Sequence, residues 1–134
     1  MSIMQMSGGA VVAMAGKECF VIGSDHRLGD NIKTIATDVC KLDIINDKTV
    51  IGLTGLRTDQ ITFGNKLKFN LNMYELREER QISGEALGSL VSNMLYEHRF
   101  GPFFTEPVVA SIDAEGKVYL CATDLIGAPC EPKD

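Results

Sequence analysis

Ser7-Gly8-Gly9-Ala10-Val11-Val12-Ala13-Met14-Ala15-Gly16-Lys17-Glu18-Cys19-Phe20-Val21-Ile22-Gly23-Ser24-Asp25-His26-Arg27 decides the reading of this chain. Ala10–Ala15 is an apolar run and Cys19–Ser24 is another. The short turn Gly16-Lys17-Glu18 between them makes the pair a β-hairpin. Both runs are apolar at nearly every position, which predicts burial on both faces. The first strand opens on Gly8-Gly9, a pair with no side chain that can react.

Working outward, Asp30–Thr37 is polar and fits neither period. Lys41–Ile45 and Thr49–Leu53 form a second strand pair joined at Asn46-Asp47-Lys48. A helix begins near Thr58, with Thr58-Asp59 supplying capping oxygens and negative charge at its start. Its apolar stripe reads Ile61, Leu67, Leu71 and either Met73 or Leu76, and the charged run Glu75–Arg80 closes it. Ser83 caps a second helix running to about Arg99. Leu87, Leu90, Val91, Met94 and Leu95 give that helix a clean apolar face, and Pro102 stops any continuation. Pro107–Ile112 and Lys117–Ala122 are strands around the turn Asp113-Ala114-Glu115-Gly116. The tail from Gly127 to Asp134 has no periodicity. Four strands, two helices and two strands make an α+β unit over 1–134, read as a single partial domain. Its helices cover one face of a sheet, and its second apolar face calls for a further layer.

The bulk numbers exclude several classes. A net charge of −5 with no basic cluster argues against a nucleic-acid surface. No apolar run approaches the roughly 18 residues of a membrane span, and Met1–Met6 lacks the charged and apolar regions of a signal peptide. The default compartment is therefore intracellular. Cys19, Cys40, Cys121 and Cys130 form no C-x-x-C pair, and His26 and His98 lie far apart, so no zinc spacing is present. The expectation is reduced, mostly packed thiols and no metal or other cofactor. No phosphate-binding loop, G-x-S-x-G or H-E-x-x-H occurs. Ser24-Asp25-His26 has the letters of a triad, but consecutive strand residues point to opposite sides and do not converge.

Three stretches carry a resemblance: Gly8–Arg27, Ile51-Gly52-Leu53-Thr54-Gly55-Leu56-Arg57-Thr58-Asp59 with Tyr74-Glu75-Leu76, and the long run Leu95-Tyr96-Glu97-His98-Arg99-Phe100-Gly101-Pro102-Phe103-Phe104-Thr105-Glu106-Pro107-Val108. Together with Asp124-Leu125-Ile126-Gly127 they resemble proteasome β subunits, most closely the β3 type, over Ser7 to Gly127. The resemblance implies a four-layer αββα sandwich of the amino-terminal nucleophile hydrolase type. It also implies that the C-terminal third of the family pattern is missing after Asp134.

Active members of that family expose an amino-terminal threonine. Its hydroxyl attacks a peptide carbonyl, and the free α-amine, with an ordinary pKa near ~8, serves as base. Counted without gaps, the family's register places Asp25 on the aspartate, Lys41 on the lysine, Gly55 on the oxyanion glycine and Gly9 on the threonine. The resemblance therefore implies a vestigial site without its nucleophile. Removal of Met1 would expose Ser2, and cleavage before Ser7 would expose a serine, but both are out of register. The implied role is a non-catalytic, structural subunit of the β ring, helping to close the chamber for ubiquitin-dependent protein degradation. Its partners would be β2 and β4 neighbours, the opposite β ring and α-ring subunits, in cytoplasm and nucleus. The same resemblance sets Asp124, and Cys121 beside it, toward the substrate pocket of an adjacent trypsin-like subunit. The alternatives are an active hydrolase, against which the missing threonine at Gly9 stands, and a truncated relative that does not assemble.

Overall fold

The computed structural model describes residues 2–132. Met1 and Lys133–Asp134 lie outside the described residues, and so does the point at which the family pattern was expected to break off. In chain order the elements are α1 (Met4–Ser7), β1 (Val11–Gly16), β2 (Cys19–Ser24), β3 (Leu28–Asp30) and β4 (Lys33–Ala36). They continue with β5 (Leu42–Asn46), β6 (Thr49–Gly55), α2 (Arg57–Glu78), α3 (Gly84–Glu97), β7 (Thr105–Ile112), β8 (Val118–Thr123) and β9 (Pro129–Cys130). The α+β class read from the sequence is the class observed.

The strands form an antiparallel β1-β2 ribbon, a β3-β4 hairpin and a five-stranded antiparallel sheet in the order β5-β6-β7-β8-β9. Helices α2 and α3 lie on one face of the large sheet, against β6, β7 and β8. The ribbon lies against β6, β7 and β8 as well, with Val11 over Gly52. Successive strand residues point to opposite faces. Ile51, Leu53 and Val109 therefore join Phe63, Leu67, Leu71, Leu87, Val91 and Leu95 in a core on the helix side. Gly52, between Ile51 and Leu53, turns to the ribbon. Helices, large sheet and ribbon are three of the four expected layers, and no second helical layer lies among the described residues.

That arrangement corrects the expected two-sided burial of the first two strands. Phe20 and Ile22 alternate with exposed residues, and Val12, Met14 and Val21 are each about two-thirds or more in water, at 70%, 70% and 67%. Only the inward residues meet the large sheet. The cysteines differ in the same way. Cys121 is buried, whereas Cys19, Cys40 and Cys130 are exposed free thiols, so "mostly packed" holds for one of them.

Helix α3 follows the sequence closely. Ser83 is its N-cap, its hydroxyl accepting from the Ala86 amide at 3.3 Å, and Leu87, Val91, Met94 and Leu95 are buried. Helix α2 differs. Its buried stripe is Phe63, Leu67 and Leu71, while Ile61 and Leu76 are exposed. Ile61 and Leu67 stand six positions apart, well short of two full turns at 3.6 residues per turn, so they do not share a face. Thr58-Asp59 is not the cap either. Leu56 is the N-cap residue, and no side chain of its own satisfies the first amides. The Asp59 carboxylate instead accepts from the Phe104 amide at 2.8 Å, tying α2 to the start of β7.

Candidate functional site

Asp25 follows β2 and Lys41 precedes β5, so the end of the ribbon and the entry to the large sheet meet at these two side chains. The Lys41 ammonium is 2.9 Å from Asp25 Oδ2. It also donates to the main-chain oxygens of Arg27 at 2.8 Å and Asp25 at 3.2 Å. An ammonium has three N–H donors, and these three acceptors match them in number. The carboxylate is as fully engaged. Oδ1 accepts from the Ala10 amide at 2.8 Å and Oδ2 from the Arg27 amide at 3.1 Å. Burial pushes the Asp25 pKa up, but the Ala10 amide, the Lys41 ammonium and the Arg27 amide outweigh it. The group sits below the ordinary carboxylate value.

Gly9 completes this cluster. A Cβ placed on it would stand 3.0 Å from Lys41 Cε, 3.2 Å from Lys41 Cδ and 3.7 Å from Asp25 Oδ1. Its φ of 140° is one that L residues with side chains rarely adopt. The expected trio Gly9, Asp25 and Lys41 is thus brought together, with no hydroxyl at its centre. Gly55 lies nearby on β6, two residues beyond Leu53, whose amide donates to the Lys41 carbonyl at 2.9 Å. It is covered by the N-terminal segment: the Met4 methyl lies 3.0 Å from where a Gly55 Cβ would be.

Sequence reasoning missed Ser7 and the second role of Arg27. Ser7 is 8% exposed, and its hydroxyl accepts from the Arg57 amide at 3.2 Å, capping α2 from a distant part of the chain. The Arg27 guanidinium donates to Thr34 Oγ1 and to the carbonyls of Asn31 and Lys33, bracing the β3-β4 hairpin. No local pattern signals the Ser7 contact, because its partner is far along the chain. Among the described residues, no group of three or more His, Cys, Asp or Glu side chains could hold a metal, and no helix is long and apolar enough to cross a membrane.

On the same side as Gly9, with which it lines one cleft, Asp124 is exposed and its Oδ1 accepts from the amides of Ile126 at 3.0 Å and Ala128 at 2.9 Å. It builds the turn that leads into β9. Cys121 is 1% exposed and alternates with Ala122 onto the helix side of β8. Burial pushes its thiol pKa up. Of the two residues expected at a neighbour's pocket, Asp124 reaches the surface and Cys121 is sealed beneath it.

A model of the family described as proteasome subunit matches residues 6–134. The chain belongs to the proteasome subunit family. Over 135 residues it is 64% identical to "Proteasome subunit beta type-3" of Trypanosoma brucei brucei. It is 48% identical to the protein of that name in Caenorhabditis elegans and 49% identical to "Proteasome subunit beta type-3-B" of Arabidopsis thaliana. Each match covers all of this chain and 66% of the relative. Gly9, Asp25 and Lys41, the three residues brought together above, all lie within the span that the family model matches.

Proposed function

We propose that this chain acts as a non-catalytic wall subunit of a proteasome β ring. One observation carries the reading. The backbone of Gly9 lies against Lys41 and Asp25 with no hydroxyl on it, and on this reading that is where the nucleophile would stand. An acyl-transfer enzyme needs a nucleophile within reach of a base, and no pKa adjustment replaces a missing oxygen. Lys41 and Asp25 then serve as a structural pair, each satisfying the other where burial would otherwise be costly. The partners on this reading are neighbouring β subunits of the β2 and β4 types, the opposite β ring and the α ring, in cytoplasm and nucleus.

The test is co-expression of this chain with the other α and β subunits, followed by native mass measurement and treatment with an epoxyketone probe. The expected result is incorporation into the particle with no covalent label on this chain. Labelling would mean a working hydrolase, and absence from every assembled species would mean a relative that does not assemble.

The exposed carboxylate of Asp124 supports a second role within the same assembly, shaping the pocket of an adjacent trypsin-like subunit. An acidic group at such a boundary favours basic substrate side chains. Asp124→Asn removes the charge and keeps an oxygen for the Ile126 and Ala128 amides, so the turn survives. The expected outcome is a several-fold weaker preference of the assembled particle for cleavage after basic residues. An unchanged preference would sink the idea.

A further inference from the structure

The one-turn helix α1 packs on β3 and on β6, the strand that ends at Gly55. The Met6 carbonyl accepts from the Asn31 amide at the tip of the β3-β4 hairpin, at 3.0 Å. The buried Ser7 hydroxyl accepts from the Arg57 amide at the start of α2, at 3.2 Å. Between these two bonds the Met4 methyl sits over Gly55. Gly8, at φ 69° and ψ −172°, then turns the chain sharply toward Gly9, a conformation left almost entirely to glycine. Each contact alone is ordinary. Their arrangement is not, because one short segment bridges a hairpin tip and a helix N-terminus that lacks a cap of its own.

We propose that Met4–Ser7 is a built-in latch. Bonded to the hairpin tip at one end and to the start of α2 at the other, it fastens the two as one unit. The hydroxyl does for α2 what an adjacent N-cap residue does elsewhere, satisfying an amide that the helix leaves unpaired. The methionine packs over Gly55 beside the Phe104 carbonyl and so anchors the segment between its two hydrogen bonds. The device is intramolecular and stands whether or not the chain enters a ring.

Amide exchange measured residue by residue by NMR on the full chain tests it. Ser7→Ala removes the bond to Arg57 and none from Asn31. A latch predicts that both amides exchange faster, by roughly fivefold at Arg57 given ordinary cap strengths, while α3 amides stay protected. Met4→Ala is expected to accelerate the same two amides, and Ser7→Thr, which keeps the hydroxyl, is expected to leave both protected. Acceleration at Arg57 alone would show independent contacts and overturn the proposal, as would two unmoved amides in Met4→Ala or lost protection in Ser7→Thr. If Ser7→Ala loosens α3 as well, Met4→Ala and Ser7→Thr decide the matter, since both leave the Arg57 acceptor in place.

Discussion

Asp25→Ala is expected to lower the stability of the chain by about 3 kcal/mol, more than Lys41→Met, which should cost only about 1 kcal/mol. The asymmetry follows from where the two charges sit. The Lys41 side chain is 2% exposed and that of Asp25 is 38% exposed. Removing the carboxylate strands an ammonium in the interior and leaves the Ala10 and Arg27 amides without their acceptor. Removing the ammonium leaves a carboxylate that water partly reaches and that still has two N–H donors. Water at Asp25 places the larger figure at the low end of the range for broken buried pairs. Urea unfolding with an unchanged slope measures both, and equal costs for the two variants would contradict this account. The pH dependence has a definite sign. The folded pKa of Asp25 lies below its ordinary value of 3.8. Its contribution is therefore fully present above the unfolded pKa and is lost as pH falls through the folded one. The gap between the native chain and Asp25→Ala should hold steady above roughly pH 5 and close below about pH 4.

Gly9→Thr is expected to leave the chain inert toward an epoxyketone probe and to destabilise it by roughly 1–3 kcal/mol. The substitution puts a hydroxyl beside Lys41 and Asp25, but three features work against reaction. The φ of 140° at this position strains any L side chain. The new Cβ would press on Lys41 Cε at 3.0 Å and disturb the ammonium that the site depends on. The nitrogen of residue 9 stays in a peptide bond to Gly8, so no free amine is available as base. Intact-mass measurement after probe treatment, paired with a thermal melt, checks both halves. A covalent adduct on the full-length variant would show that the position can still be made to react.

The grouping of Gly9, Asp25 and Lys41 was expected only from the family resemblance, because the three stand just outside β1, β2 and β5 and no strand period joins them. The apolar runs place β1 and β2, and the clean face of α3 fixes the core opposite. The contacts that were not legible depend on chain segments far apart in sequence. Ser7 caps a helix whose start lies beyond six strands, and Asp59, read as a cap, binds the Phe104 amide instead. The stripe of α2 was misplaced because Phe63 was passed over for Ile61, and only packing against Leu53 and Val109 decides between such neighbours. The strand Pro129–Cys130 is too short to show a period at all. The turn role of Asp124 was legible, since a strand-end aspartate commonly caps a turn, and its Oδ1 accepts from the Ile126 and Ala128 amides.

The Asp25–Lys41 pair has one more consequence, for the order in which the molecule opens. The β1-β2 ribbon is hydrogen-bonded to no strand of the large sheet, and its outer side chains Val12, Met14 and Val21 face water. Side-chain packing and this ion pair, not strand pairing, therefore hold it to the sheet. The ion pair joins the residue just after the ribbon to the residue just before β5. The ion pair is a rivet: two opposite charges, one just past the ribbon and one at the entry to the large sheet, keep one from lifting off the other.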